Sequence, residues 1–145
     1  MFRRSLLRCC SAVLVASLVA CAAGAVRAAG PADVKALESQ MEKLLDAYNR
    51  DDVKAFFADW AKAVEAIATE ATYDALFRNM AKKELGNYVP KTVKLRTEGS
   101  VLEGDFLVVY FDVEFASAKQ GMAAVNFQQE GGAFKFIQVQ LGKRP

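Results

Sequence analysis

Phe106-Leu107-Val108-Val109-Tyr110-Phe111-Asp112-Val113-Glu114-Phe115 is the stretch that decides how this chain folds. Successive side chains of a strand point to opposite faces, so Leu107, Val109, Phe111, Val113 and Phe115 make one face wholly apolar. Phe106, Val108, Tyr110, Asp112 and Glu114 occupy the other face. A strand of this kind belongs to an antiparallel sheet with one side on a core and one toward water. Downstream, Met122 to Gln129 and Ala133 to Leu141 read as a hairpin, with Gly131 and Gly132 supplying the positive φ of a tight turn. Upstream, Val93, Leu95 and Thr97 alternate with charged neighbours, and Glu98-Gly99 and Glu103-Gly104 read as turns.

Before Pro90 the period is helical. Val34, Leu37, Met41, Leu44, Leu45 and Tyr48 recur every three or four residues, which predicts an amphipathic helix from about Ala32 to Arg50. Asp51-Asp52 interrupts it and supplies a cap for a second helix burying Val53, Phe56, Phe57, Trp60, Val64 and Ile67. A third stripe, Tyr73, Leu76, Phe77 and Met80, follows Thr69 to Thr72 and runs to Gly86, where a left-handed residue commonly ends a helix. Helices followed by antiparallel strands predict one α+β domain over residues 31–145, with the helices packed on the sheet.

The first residues carry an address. Arg3, Arg4 and Arg8 precede an apolar run from Ser11 to Ala20, shorter than the roughly 20 residues a spanning helix needs, which reads as an export signal over residues 1–20. Two cleavage readings compete. In the first, Leu18-Val19-Ala20 leads into Cys21 as a bacterial lipoprotein box; the thiol is lipidated and residues 21–30 form a tether. In the second, release follows Ala28, with Val26 and Ala28 as the small residues of the site. The first is preferred, because the thiol stands where the apolar run stops. It predicts a periplasmic domain anchored to a membrane through Cys21, the second a soluble periplasmic or secreted one.

Charge and cysteine usage narrow the chemistry. The other two of the three cysteines, Cys9 and Cys10, leave with the leader, so no thiol remains in the domain for a disulfide, metal or nucleophile. Arg3, Arg4, Arg8 and Arg27 all precede residue 30 whereas every acid follows it; removing those four charges turns the formal +2 into −2. The apparent basicity belongs to targeting, and no nucleic-acid footprint survives. There is no histidine, which removes the commonest general base and metal ligand and any Ser/His/Asp or Cys/His nucleophile. No metal or other cofactor is expected.

The order of elements, ending in Gly131-Gly132-Ala133-Phe134-Lys135-Phe136, resembles the nuclear transport factor 2-like superfamily, which includes the ketosteroid-isomerase-like cones. Lys83-Glu84-Leu85-Gly86, the strand Val108 to Phe115 and the last hairpin are similar to an exported bacterial branch of unknown function; Phe134 stands where that superfamily usually has Trp. The resemblance implies a cone, N-terminal helices packed on a curved antiparallel sheet, with an apolar cavity between sheet and long helix and Phe134 and Phe136 facing inward. Alternation then puts Gln138 and Gln140 on the same face, as amides that could orient a polar ligand group, unless the strand end turns toward solvent. Ile137, Val139 and Leu141 would form a second apolar stripe suited to a homodimer or partner. Tyr110, Asp112 and Glu114 could act as phenol and carboxylates in a proton transfer beside a carbonyl, although their alternation with the apolar face points to the wet side. Tyr48 and Trp60 read as core. The leading expectation is a non-catalytic envelope protein binding an apolar small molecule or another envelope component; the alternative is an isomerase- or dehydratase-like enzyme.

Overall fold

The computed structural model describes residues 31–145. Cys21 and Ala28, on which the anchoring expectations rest, lie outside the described residues. Helix α1 (Pro31–Arg50) is followed by α2 (Val53–Phe56), a 3₁₀ turn (Lys62–Ile67), α3 (Glu70–Tyr73), a π-helical segment (Asp74–Ala81) and α4 (Lys82–Leu85). Strands β1 (Lys94–Val101), β2 (Phe106–Phe115), β3 (Ala118–Glu130) and β4 (Ala133–Lys143) then form one antiparallel sheet in the order β1-β2-β3-β4. The architecture is α+β: helices packed on a four-stranded sheet. No helix among the described residues is long and apolar enough to cross a membrane.

The apolar face of β2 is buried throughout, from Leu107 to Phe115. Register carries the inward row across the sheet: Phe111 pairs with Ala123, Val109 with Val125 and Leu107 with Phe127. Gly121 opposes Val113 on that face because the Phe115 ring fills the space; a Cβ there would lie 2.5 Å from the ring and 2.6 Å from the Val113 carbonyl. Gly131 and Gly132, at φ 60° and 82°, make the tight β3–β4 turn.

Helix α1 buries Leu37, Met41, Leu44, Leu45 and Tyr48 against this surface. Residues two apart on a helix point about 200° apart, so Glu38 and Gln40 leave opposite flanks of the buried stripe. Each satisfies a strand backbone. Glu38 Oε1 accepts from the Leu95 N–H of β1 at 2.8 Å, and the Gln40 amide donates to the Phe134 carbonyl of β4 at 2.9 Å. The helix thus holds both edge strands. At its carboxyl end Asn49 makes a paired contact with the backbone of Tyr88, and Lys82 donates to the Tyr48 carbonyl at 2.8 Å, a cation placed where a helix terminus favours one.

Three local readings are corrected by the structure. The second helix breaks after Phe56; Val64 is only partly buried and Ile67 is exposed, because a turn at 57–60 sends the chain back to pair with β4. In the third stripe the buried residues are Tyr73, Phe77, Ala81 and Leu85, spaced by four throughout. The wider π turn rotates Leu76 and Met80 outward, to 50% and 63% exposure. Glu98-Gly99 does not end β1. The strand continues through a bulge between Arg96 and Val101, where Ser100 Oγ donates to the Arg96 carbonyl and accepts from the Tyr110 N–H, replacing lost ladder bonds.

Candidate functional site: an aromatic pocket at the β4 edge

A bulge in β4 determines which residues of the last strand meet the interior. Asn126 pairs with Gln138 but its neighbour Phe127 pairs with Phe136, leaving Ile137 as an extra residue. The pleat therefore changes phase. Phe136 faces inward and is buried, Phe134 is half-buried, and beyond the bulge Val139 and Leu141 turn into the same core. Gln138 and Gln140 lie on the opposite, exposed face, where the Asn126 amide donates to Gln138 Oε1 at 3.0 Å. Of the two readings of the glutamines, the solvent-facing one holds and the inward one is corrected; the expected outward stripe of Ile137, Val139 and Leu141 is corrected too, because Val139 and Leu141 turn into the core.

The bulge also leaves backbone groups of the β4 edge free to bind another segment. Residues 59–61 take that place: Phe136 N–H donates to the Asp59 carbonyl at 3.0 Å, and Ala61 N–H donates to the Phe136 carbonyl at 2.8 Å. The Lys135 ammonium, 3.5 Å from the Asp59 carboxylate, reinforces the joint, and Glu130 accepts from the Lys62 N–H. This pairing places Trp60 over Phe136, ring centroids 6.1 Å apart. Phe136 in turn packs on Phe127 at 4.8 Å, while Phe56 lies 5.1 Å from Phe57 and 4.6 Å from Phe77. The result is a continuous aromatic wall from the β4 edge to the helices.

A pocket of about 210 Å³ opens on this wall, lined by Phe57, Trp60, Ala61, Lys62, Glu65 and Ala68. Its size is below the roughly 300–1,000 Å³ of drug-sized ligand sites, so it suits a small or flat apolar group. Lys62 and Glu65 put both signs of charge at the rim. The Trp60 indole N–H is buried and has no acceptor among the described residues. An orphaned buried donor of this kind costs about 1–3 kcal/mol, and with no accessible surface of its own it is sealed behind the ring rather than presented to the pocket. Trp60, the sole tryptophan, was expected in the core; its place follows from the helix break after Phe56.

Tyr110, Asp112 and Glu114 share the outer face of the sheet, with Glu114 exposed and the other two half-buried. Asp112 Oδ1 lies 2.5 Å from the Arg96 guanidinium and 3.9 Å from that of Arg144. Proton abstraction in an apolar cavity needs the reverse placement: a carboxylate and a phenol inside. Asp112 and Glu114 instead line a polar groove at the end of the sheet. Tyr48 and Tyr73 are the phenols buried among the helices. Burial raises both above the ordinary tyrosine range, with the Asp51 charge adding to the effect, and their hydroxyls donate to the Gly86 and Tyr48 carbonyls. They work as backbone ties. Among the described residues no group of three or more acids could hold a metal ion. The chain matches no family model, no curated protein and no solved structure.

Proposed function

We propose that this chain is an exported envelope protein, held at a membrane through lipidated Cys21, whose domain is a nuclear transport factor 2-like cone that binds a small apolar molecule without transforming it. The observation that carries the reading is the aromatic pocket at the β4 edge, with Phe57 and Trp60 as walls. Support for binding over catalysis comes from the histidine-free sequence and from Asp112, whose carboxylate is engaged by Arg96 on the outer face. Support for the cone comes from the element order and from α1 holding both sheet edges. The ligand is a compact, flat apolar group that stacks on Phe57 and Trp60.

Because Trp60 is the sole tryptophan, emission excited at the red edge, where the tyrosines do not absorb, comes from the pocket wall. Titration of the domain from Gly30 to Pro145 with neutral N-phenyl-1-naphthylamine should quench Trp60 emission saturably at one probe per chain, and Phe57→Ala should weaken the effect. Probe fluorescence that rises without any change in Trp60 emission would place the binding elsewhere and remove the reading. Anchoring is tested separately. In a bacterial host the full chain should sediment with membranes and incorporate labelled palmitate, and Cys21→Ser should abolish the labelling; equal labelling of the two would eliminate Cys21 as the lipidated residue.

A further inference from the structure

The polar groove at the end of the sheet has a volume of about 390 Å³ and is lined by Lys91, Lys94, Lys119 and Arg144 together with Asp112 and Glu114. Its cations come from separate parts of the chain: the turn before β1, the first residue of β1, the start of β3 and the residue after β4. Antiparallel pairing brings these segments to one end of the sheet. Among the described residues Lys91, Lys94 and Lys119 have no acidic partner within ion-pair distance, and all three are exposed. Asp112 is neutralised by Arg96. Three unpaired lysines and Arg144, 3.9 Å from the Asp112 that it shares with Arg96, therefore stand against one uncommitted carboxylate, Glu114, in a domain whose overall charge is negative. The groove carries both signs with the cations in excess, and an excess of one sign in a cleft raises the local concentration of the opposite ion.

The backbone beneath the charges is fixed. Lys91 sits at φ 63°, a left-handed conformation held by its N–H donating to the Tyr88 hydroxyl at 3.0 Å. Thr92 Oγ1 donates to the Val89 carbonyl at 2.7 Å and accepts from Glu114 N–H at 3.0 Å. Arg144 N–H donates to the Gln120 carbonyl at 2.8 Å, tying the end of β4 to β3. The ammonium groups thus project from an organised frame. Lysine is a compact, strongly hydrated point charge, and several together suit a multiply charged oxyanion better than a single carboxylate. The volume exceeds what one phosphate fills, leaving room for the body of an ester.

We infer that this groove is an anion site for a phosphate ester, in which Lys91, Lys94, Lys119 and Arg144 hold the phosphate oxygens. The phosphate comes either from a soluble metabolite or from a phospholipid headgroup at the surface to which the chain is anchored. Binding is electrostatic and weakens with salt, since screening at about 1 M shortens the Debye length to roughly 3 Å.

Lysine labelling of the full chain reads the site locally. The chain in neutral detergent is acetylated with an N-hydroxysuccinimide ester, with and without inorganic pyrophosphate, and each lysine is quantified by mass spectrometry. In a second arm it is reconstituted in phosphatidylcholine vesicles with or without phosphatidylglycerol. Labelling of Lys91, Lys94 and Lys119 is expected to fall roughly tenfold, the change of one charged hydrogen bond, while exposed Lys43 and Lys54 on the helices stay unchanged. Protection by pyrophosphate with none from phosphatidylglycerol identifies a soluble phosphate compound; protection in phosphatidylglycerol vesicles but not in phosphatidylcholine alone identifies a headgroup. The double variant Lys91→Gln, Lys119→Gln, both at exposed positions, should lose the protection of Lys94. Groove lysines that label like Lys43 and Lys54 in both arms overturn the inference.

Discussion

Asp51 follows α1 at φ 53°, and one oxygen of its carboxylate joins that helix to the next layer. It accepts from Lys82 at 2.8 Å and from the Tyr73 hydroxyl at 3.1 Å, with Arg78 at 3.7 Å. Partial burial pushes its pKa up, but the hydrogen bonds from Lys82 and Tyr73 and the nearby cations outweigh that and hold it below the ordinary carboxylate value. A carboxyl with a lowered folded-state pKa stabilises fully above its unfolded value of about 4, and the contribution drains as pH falls through the lowered value. Asn tolerates the left-handed backbone and keeps the shape, so Asp51→Asn isolates the charge. Urea unfolding from pH 7 to pH 3 should show the wild type losing stability more steeply below about pH 4 than Asp51→Asn. Parallel profiles would show that the ion cluster does not stabilise the fold. Asp51-Asp52 was legible as a helix break; the Lys82 and Tyr73 contacts were not, because they join residues more than twenty positions apart.

At the scale of elements, β2 was readable because its period of two is unbroken. In β4 the apolar residues are Phe134, Phe136, Ile137, Val139 and Leu141, and the adjacent pair Phe136-Ile137 is the signal of a phase change. Strict alternation carried through that pair sends Gln138 inward; the bulge sends Val139 inward instead. The two registers give opposite mutational results. Val139→Ala should cost about 1.5 kcal/mol by denaturant unfolding, the worth of two buried methyl-sized groups, while Gln138→Ala stays within about 0.5 kcal/mol. The reverse ranking would contradict the bulged register. The helical layer has a similar signal: Tyr73, Phe77, Ala81 and Leu85 keep a spacing of four, which a regular helix does not sustain. The break after Phe56 has no comparable local signature. Its cause is tertiary, the bonds that residues 59–61 make with Phe136, and for that reason the pocket at Trp60 could not be seen in the sequence.

For the whole molecule, the polar groups of α1 explain how a domain without a disulfide holds its sheet. Glu38 and Gln40 grip its two edges while the stripe between them is buried, and the aromatic wall continues that packing to Trp60. The two candidate sites use different parts of this frame, an apolar pocket where the helices meet β4 and a cationic groove at the end of the sheet. The central claim is that the apolar pocket is a binding site, and occupancy tests it most directly. The domain from Gly30 to Pro145, directed to a bacterial periplasm and purified without detergent, is weighed by gentle native mass spectrometry beside Phe57→Ala. The account predicts a reproducible added mass on the wild type that the variant loses. A clean apo mass for the wild type, or an added mass that Phe57→Ala retains in full, would contradict it.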